Sequence, residues 1–370
     1  MANVLILHTS IGLGHKSIAQ NIAHALQREG FYVKVEDILQ VESGWVVHAG
    51  TWLHRIVNRF FPWLWTWLYA STDHGILAKL TLPLRVMLAA KNSSQALKLI
   101  REFQPDLIIT TQTSASAVVA YLKRTGAYKG KFAIAFSDYH LHTYWLYEEA
   151  DFYLANTQEQ KQEMAEHGID PERVNVCGMT LEPQHVVDTE RVRQDLNILP
   201  AGKIILVASG SLGTGLDFCL IERLSAHSEW YVIIVCGKNK KLHEILRQKF
   251  ALPNVRVLGF FKPMQNLYAI ADIFLTKPGG LTMAEALSFR LPIVLTHYLP
   301  GQELLNTRYL LARHLVLDGL QGSVEDLVKI ELISGSFRKE LKVNSTLPEL
   351  IDFGQKVQTV VRKYMPKISS

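Results

Sequence analysis

Cysteine is scarce in this sequence. Its three thiols, Cys177, Cys219 and Cys236, are an odd number among 370 residues and show no metal-ligand spacing. That excludes a disulfide scaffold and a cysteine-built metal cluster, and it fits buried thiols in a reducing compartment. Long apolar runs are missing as well. The longest charge-free apolar stretch, FFPWLWTWLYAST at residues 60–72, is broken by Pro62 and falls short of the roughly 20 residues that a membrane-spanning helix needs. The opening MANVLILHTS lacks the positive start and the cleavage site of a secretory leader. No fixed-period repeat and no low-complexity tract stands out. The expectation is a cytoplasmic protein whose membrane contact is peripheral. The net charge of +5 is a mild excess; it suits an anionic ligand or surface, and no nucleic-acid partner is expected.

What is present is a globular composition, 48% apolar and 20% charged, on a chain long enough for two domains. Strand-like and helix-like runs alternate. NVLILHT precedes a helix with Ile18, Ile22, Ala25 and Leu26 on one face, closed by Gly30. YVKVEDI, a helix ending near Phe103, PDLIITT, KFAIAFSD and DFYLANT follow. Thr157 and Gln160 then read as a capping box, with Gly168 as the stop of that helix. The pattern weakens over residues 177–202 and restarts at KIILVASG, running through WYVIIVCG, VRVLGF, DIFLT and PIVLTH; Ser323 and Asp326 read as a later helix cap. This is the βαβ rhythm of doubly wound parallel sheets. We therefore expect an α/β fold with two Rossmann-like domains facing each other across a cleft. Residues 1–178 form the first and 179–345 the second, and 346–370 carry a C-terminal helix that packs back toward the first.

Ligands of such sheets sit at the carboxyl ends of the strands. TKPGGLTMAEAL, residues 276–287, places two glycines at such an end, where a helix start offers backbone N–H groups and partial positive charge to a diphosphate. Thr282 adds a hydroxyl. Thr282 and Glu285 also match a capping box, in which Glu285 would only bond back to the helix start. Two further polar loops follow strands in the same half: VASGSLGTG at 207–215, and LPGQELLN at 299–306, whose Gln302 and Glu303 suit sugar hydroxyls or simply a solvated loop. Their convergence carries more weight than any one of them.

In the first half, HTSIGLGHKS places Gly12, Gly14 and Ser17 almost as a dinucleotide fingerprint, with Glu36 or Asp37 where a ribose acid would sit. A nicotinamide-dependent dehydrogenase is thus one alternative. His15 sits inside this turn. A histidine there can take a proton from an incoming hydroxyl, or it can merely bond neighbouring backbone. AFSDYHLHTYW brings Asp138, His140, His142 and Trp145 to another strand end. The HxH spacing invites a metal, but no further ligand cluster accompanies it. Residues 45–91 interrupt the rhythm with five of the seven tryptophans and five cations against one aspartate. Such a segment suits the headgroup layer of a membrane with anionic lipid, or else packs against protein.

KPGGLTMAEAL, LPIV and LPGQELLN, together with SIGLGHKSIAQNIAHAL, FSDYHLHTYW, ADFYLANTQEQKQEMAEHGI and VCGM, resemble the monogalactosyldiacylglycerol synthase and processive diacylglycerol glucosyltransferase family. Those are two-Rossmann (GT-B) enzymes related to the peptidoglycan N-acetylglucosaminyltransferase. The resemblance implies a UDP-sugar donor and no obligatory metal or cofactor. Backbone near Phe261 would meet uracil and Glu285 the ribose. Ser209, Gly210, Ser211, Pro278, Gly279, Gly280, Leu281 and Thr282 would hold the diphosphate, and Gln302 and Glu303 the sugar. His15, with Asp138, would act as base, with Gly14, His142 and Trp145 on the acceptor side. Two departures stand out: Phe289-Arg290 where the family usually ends its helix on glycine, and His297-Tyr298 ahead of the Leu-Pro-Gly-Gln-Glu run.

The resulting expectation is an inverting hexosyltransferase on the cytoplasmic face of a membrane. It would move glucose or galactose from UDP to diacylglycerol, with anionic lipid as an activator. The alternatives are a related transferase with another lipid acceptor, a nucleotide-sugar epimerase and a non-catalytic lipid-binding module.

Overall fold

The computed structural model describes residues 2–9, 13–38, 67, 71–73, 76–210 and 213–365. The chain divides into two compact units. The first comprises Met1–Pro183, Pro300–Leu305 and Pro348–Ser370, and the second Gln184–Leu299 and Asn306–Leu347.

In the first unit β1 (Asn3–His8), β2 (Tyr32–Asp37), β3 (Leu107–Thr110), β4 (Lys131–Ala135), β5 (Phe152–Ala155) and β6 (Val174–Val176) form one parallel sheet in the order β2-β1-β3-β4-β5-β6. Helices α1 (Leu13–Arg28), α2 (Ile76–Phe103), α3 (Thr113–Arg124) and α4 (Gln158–Glu166) connect the strands. A parallel sheet covered on both faces needs nearly continuous apolar strands. LIIT of β3 and FYLA of β5 are accordingly buried throughout. Leu5, Leu7, Ile108, Phe132 and Ile134 pack in one core with Ala89 and Ala96 of α2 and Ala115, Val118 and Val119 of α3. The Thr157 and Gln160 capping box opens α4 with both reciprocal bonds present.

A short pair, β7 (Met179–Thr180) with β14 (Ile351–Asp352), ties the chain's end into this unit. Asp352 then caps the last helix, α13 (Gln355–Tyr364), accepting from the Lys356 and Val357 amides at 2.9 and 3.0 Å. This helix lies along α1: Gln358 donates to the Ala25 carbonyl at 2.8 Å, Arg362 pairs with Glu29, and Tyr364 stacks on Phe152. Gly178 stands at the crossing. Its φ is +81°, and a Cβ there would lie 2.5 Å from the Glu349 carbonyl oxygen, which is rigid backbone. Gly178→Ala is therefore expected to destabilise the fold by about 1–3 kcal/mol through combined strain and overlap. The check is a lower denaturation midpoint; an unchanged midpoint would show that β14 yields there.

The second unit carries α5 (Thr189–Asp195), β8 (Lys203–Ala208), α6 (Phe218–Ser225), β9 (Trp230–Val235), α7 (Lys240–Lys249), β10 (Val255–Leu258), α8 (Gln265–Ile270), β11 (Ile273–Thr276), α9 (Gly280–Ser288), β12 (Ile293–Leu295), α10 (Gln302–Ala312), β13 (Leu317–Asp318), α11 (Val324–Ser334) and α12 (Ser336–Val343). Its sheet is parallel in the order β10-β9-β8-β11-β12-β13, the doubly wound arrangement of dinucleotide-binding folds. Ile205, Val207, Val232, Ile234, Ile273, Leu275 and Val294 form its core with Leu220, Leu224, Leu246 and Val328. The strand order reverses between β1 and β3 in the first sheet and between β8 and β11 in the second, which places one ligand-binding crevice at each carboxyl edge.

One expectation needs correction. Cys219 is exposed on α6, whereas Cys177 and Cys236 are buried; Cys219 falls on the solvent side of an amphipathic helix whose Leu220, Ile221 and Leu224 turn inward. The tryptophan-rich segment is covered only in part: Trp45, Trp52, Trp63 and Trp65 lie outside the described residues, and Trp67 is 55% exposed.

Candidate functional site

At the crevice of the first sheet, β1 ends on His8 and α1 begins at Leu13, so Gly14 and His15 occupy its first turn. Gly12 lies outside the described residues. His15 Nδ1 is 2.6 Å from the Thr111 carbonyl oxygen, and the Thr111 hydroxyl donates back to the His15 carbonyl at 3.0 Å. A carbonyl only accepts, so Nδ1 carries the proton and Nε2 keeps its lone pair. Burial pushes the His15 pKa below 6.5; the negative Asp138 and the Thr111 bond oppose that shift, and nearby His8 adds to it. The ring is thus a neutral imidazole at neutral pH, fixed in the tautomer of a base. Nδ1 makes the backbone bond, which leaves Nε2 as the nitrogen able to accept a proton.

Asp138 follows β4, and its loop is clamped from below. Asn156 donates to the Phe136 and Asp138 carbonyls at 3.1 and 2.9 Å, and Gln160 donates to those of Asp138 and His140 at 2.9 Å each. The Ser137 hydroxyl donates to the Asp138 carboxylate at 3.0 Å. His142 is buried, with Nδ1 accepting from the Tyr144 amide at 3.1 Å. Trp145 is 2% exposed and packs on Phe136 with ring centroids 5.2 Å apart. Its ring is therefore a support of the loop and not a surface for a ligand. Asp73 accepts from the Thr143 amide at 2.7 Å, joining residues 71–73 to the same loop. The structure thus brings His15 and Asp138 into electrostatic reach and buries His142 and Trp145 farther along the same loop.

In the second unit the ends of β8, β11 and β12 lie side by side. Ser209 donates to the Thr214 carbonyl, while His297 Nε2 sits 2.9 Å from the Ser209 hydroxyl and 3.1 Å from that carbonyl. His297, one of the two departures, therefore fastens the glycine-rich loop. Gly210 has φ +63°, and a Cβ there would come 3.1 Å from Lys277 Cε. A Cβ on Gly279 would lie 3.8 Å from Lys277 Nζ and 3.9 Å from Thr282 Oγ1. The Pro278 carbonyl accepts from buried Asn306 at 3.1 Å, which holds the corner in place. Ser211 lies outside the described residues.

The capping-box reading of the corner is not what forms. Helix α9 starts at Gly280 with Gly279 as its cap, no side chain caps it, and Thr282 is its third residue. Glu285 instead accepts from the Tyr268 hydroxyl at 3.4 Å. Burial first and the Glu285 charge second push the Tyr268 pKa well above 10. At the end of α9, where the family pattern has glycine, Arg290 adopts φ +51° and donates to the Leu341 and Lys342 carbonyls at 2.8 and 3.1 Å. Gln302 and Glu303 are the first two residues of α10 and not a loop, and Pro300–Leu305 group with the first unit. Phe261 is half-buried just beyond β10. Lys277 was missed at the sequence level. It precedes Pro278-Gly279-Gly280 directly, and a cation next to a glycine corner after a strand was the available signal.

Comparisons with known proteins cover most of both units. The family described as monogalactosyldiacylglycerol (MGDG) synthase matches residues 15–181, and the glycosyltransferase family 28 C-terminal domain matches residues 204–312. A processive diacylglycerol beta-glucosyltransferase of Bacillus licheniformis is 30% identical over 307 residues, covering 81% of this chain and 79% of its own. Among solved structures, the UDP co-structure of MnaA from S. aureus superposes with a TM-score of 0.64 at 13% identity, covering 100% of this chain and 98% of its own. The UDP-GlcNAc 2-epimerase of Neisseria meningitidis, bound to UDP-GlcNAc, reaches 0.60 at 14% identity, with 99% and 100% covered. At such identities these two structures speak for the two-Rossmann fold alone.

Proposed function

The chain belongs to the family of the processive diacylglycerol beta-glucosyltransferases, and on that premise we propose that it is an inverting glycosyltransferase moving glucose from UDP-glucose to the free hydroxyl of diacylglycerol. The observation that carries the donor half is the start of α9. A nine-residue helix opens without a side-chain cap on Gly279, and the Lys277 side chain approaches both Gly279 and Gly210 of the glycine-rich loop. Partial positive charge, backbone N–H groups and an ammonium there suit a diphosphate, first as bound donor and then as departing UDP. Glu285 reads the ribose, backbone at Phe261 the uracil, and Gln302 and Glu303 the hexose.

On the acceptor side His15 Nε2 takes the hydroxyl proton. The freed oxygen attacks the anomeric carbon from the face opposite UDP; the new C–O bond forms as the bond to the diphosphate breaks, with its electron pair leaving on UDP. An α-linked donor thus gives a β-glucoside. Glucose is preferred over galactose because the named relatives are glucosyltransferases. The reaction takes place at a membrane surface, where the lipid acceptor resides, and anionic lipid promotes binding through the basic tryptophan-rich segment. Among the described residues no helix is long and apolar enough to cross a membrane.

The test is to supply UDP-glucose or UDP-galactose with diacylglycerol in micelles of graded anionic content. Mass spectrometry should find a β-glucosyl lipid. No glycolipid from either donor at any composition overturns the reading, and lipid-independent conversion of the nucleotide-sugar would support an epimerase instead.

A further inference from the structure

Two polar atoms at the exit of β1 have no hydrogen-bond partner although they are buried: His8 Nδ1 and Thr9 Oγ1. His8 is 4% exposed and Thr9 0%. Leaving such an atom unpaired costs roughly 1–3 kcal/mol, and nearly all buried polar groups avoid it. Both stand where the sheet reverses order between β1 and β3, the place where doubly wound folds receive a ligand. They also lie one short turn before the proposed base, since β1 ends on His8 and His15 sits in the first turn of α1. Neither residue takes part in the proton transfer just described.

We infer that His8 and Thr9 bind the ester carbonyls of the diacylglycerol acceptor. This rests on the transferase reading and deepens it. Diacylglycerol offers a buried site one hydroxyl and two ester groups and no charge. The hydroxyl gives its proton to His15. What remains are acceptors, and a threonine hydroxyl and a histidine ring nitrogen bearing a proton can each donate to one. Docking the ester region against β1 satisfies the two orphaned atoms and holds the third glycerol oxygen toward His15 Nε2. A bound water satisfying the same atoms is the competing explanation, and it makes no distinction between ester and ether lipids.

The experiment compares a 1,2-diacylglycerol with its 1,2-dialkyl ether, which lacks the carbonyls, in detergent micelles with UDP-glucose. The wild-type protein should favour the ester by about three- to tenfold or more in kcat/KM, the worth of one or two neutral hydrogen bonds. Thr9→Val and His8→Leu should each reduce that preference by about threefold or more, mainly through KM. Thr9→Val is nearly isosteric and removes an unpaired hydroxyl, so its melting temperature should hold or rise, whereas a purely structural hydroxyl would lower it. If His8→Leu does not fold, Thr9→Val decides alone. An ester preference unchanged in soluble variants, or absent from the wild type, overturns the inference and leaves the transferase reading intact. UDP binding with no transfer to either lipid overturns both.

Discussion

His15→Ala is expected to lose two to four orders of magnitude in turnover, the usual range for removing a positioned general base, and to retain its affinity for UDP. The Thr111 carbonyl fixes the proton on Nδ1, and the short 2.6 Å contact leaves the ring little freedom. Nε2 is then the atom that can accept a proton. Burial keeps the ring neutral, so no proton has to be removed before turnover. The pH profile carries the sign. The active form is the neutral one, and its pKa lies below 6.5. Activity should therefore be level above pH 6.5 and fall only as pH drops through that lower value, and the acid limb should vanish in His15→Ala. Asp138→Asn removes a charge that favours protonated His15, so the limb should move to still lower pH. Turnover in His15→Ala close to wild type, or an acid limb centred above 6.5, removes His15 as the base.

Much of the fold was legible because parallel strands and capped helices write themselves locally. The apolar run of β1, the one-sided face of α1, the Thr157–Gln160 box and the Ser323 cap each depend on residues a few positions apart. The order of strands within the sheets is a long-range matter, and no local pattern encodes it. The same distinction runs through the site. The turn marks His15 as a candidate, but its tautomer comes from Thr111, 96 residues away. The resemblance sets Trp145 on the acceptor side, but only the fold shows that its ring packs on Phe136. The Thr282–Glu285 spacing matches a capping box, yet Gly279 takes the cap and Tyr268 from α8 takes the glutamate. Arg290 shows the converse: a left-handed turn persists without glycine because two distant carbonyls hold the guanidinium.

The second large effect is expected at Lys277. The nearest approaches to a Cβ at Gly210 and at Gly279 are both made by this side chain. A bulky residue at either glycine would push the ammonium away from the helix start. The amide groups of α9 and one ammonium would then act on the same two phosphates. Charge-assisted bonds to a leaving diphosphate strengthen as negative charge develops on it, so their loss falls on kcat more than on donor binding. Lys277→Ala should lower kcat/KM for UDP-glucose by about 10²–10³, with UDP affinity reduced roughly tenfold. Lys277→Arg keeps the charge but spreads it over a planar fork that fits the narrow glycine corner less well, and should recover only part of the loss. The contribution is electrostatic, so donor binding by the wild-type protein should weaken with added salt more steeply than binding by Lys277→Ala. Equal UDP affinity and equal salt dependence in the two proteins would place the diphosphate elsewhere, and the start of α9 would lose its assigned role with it.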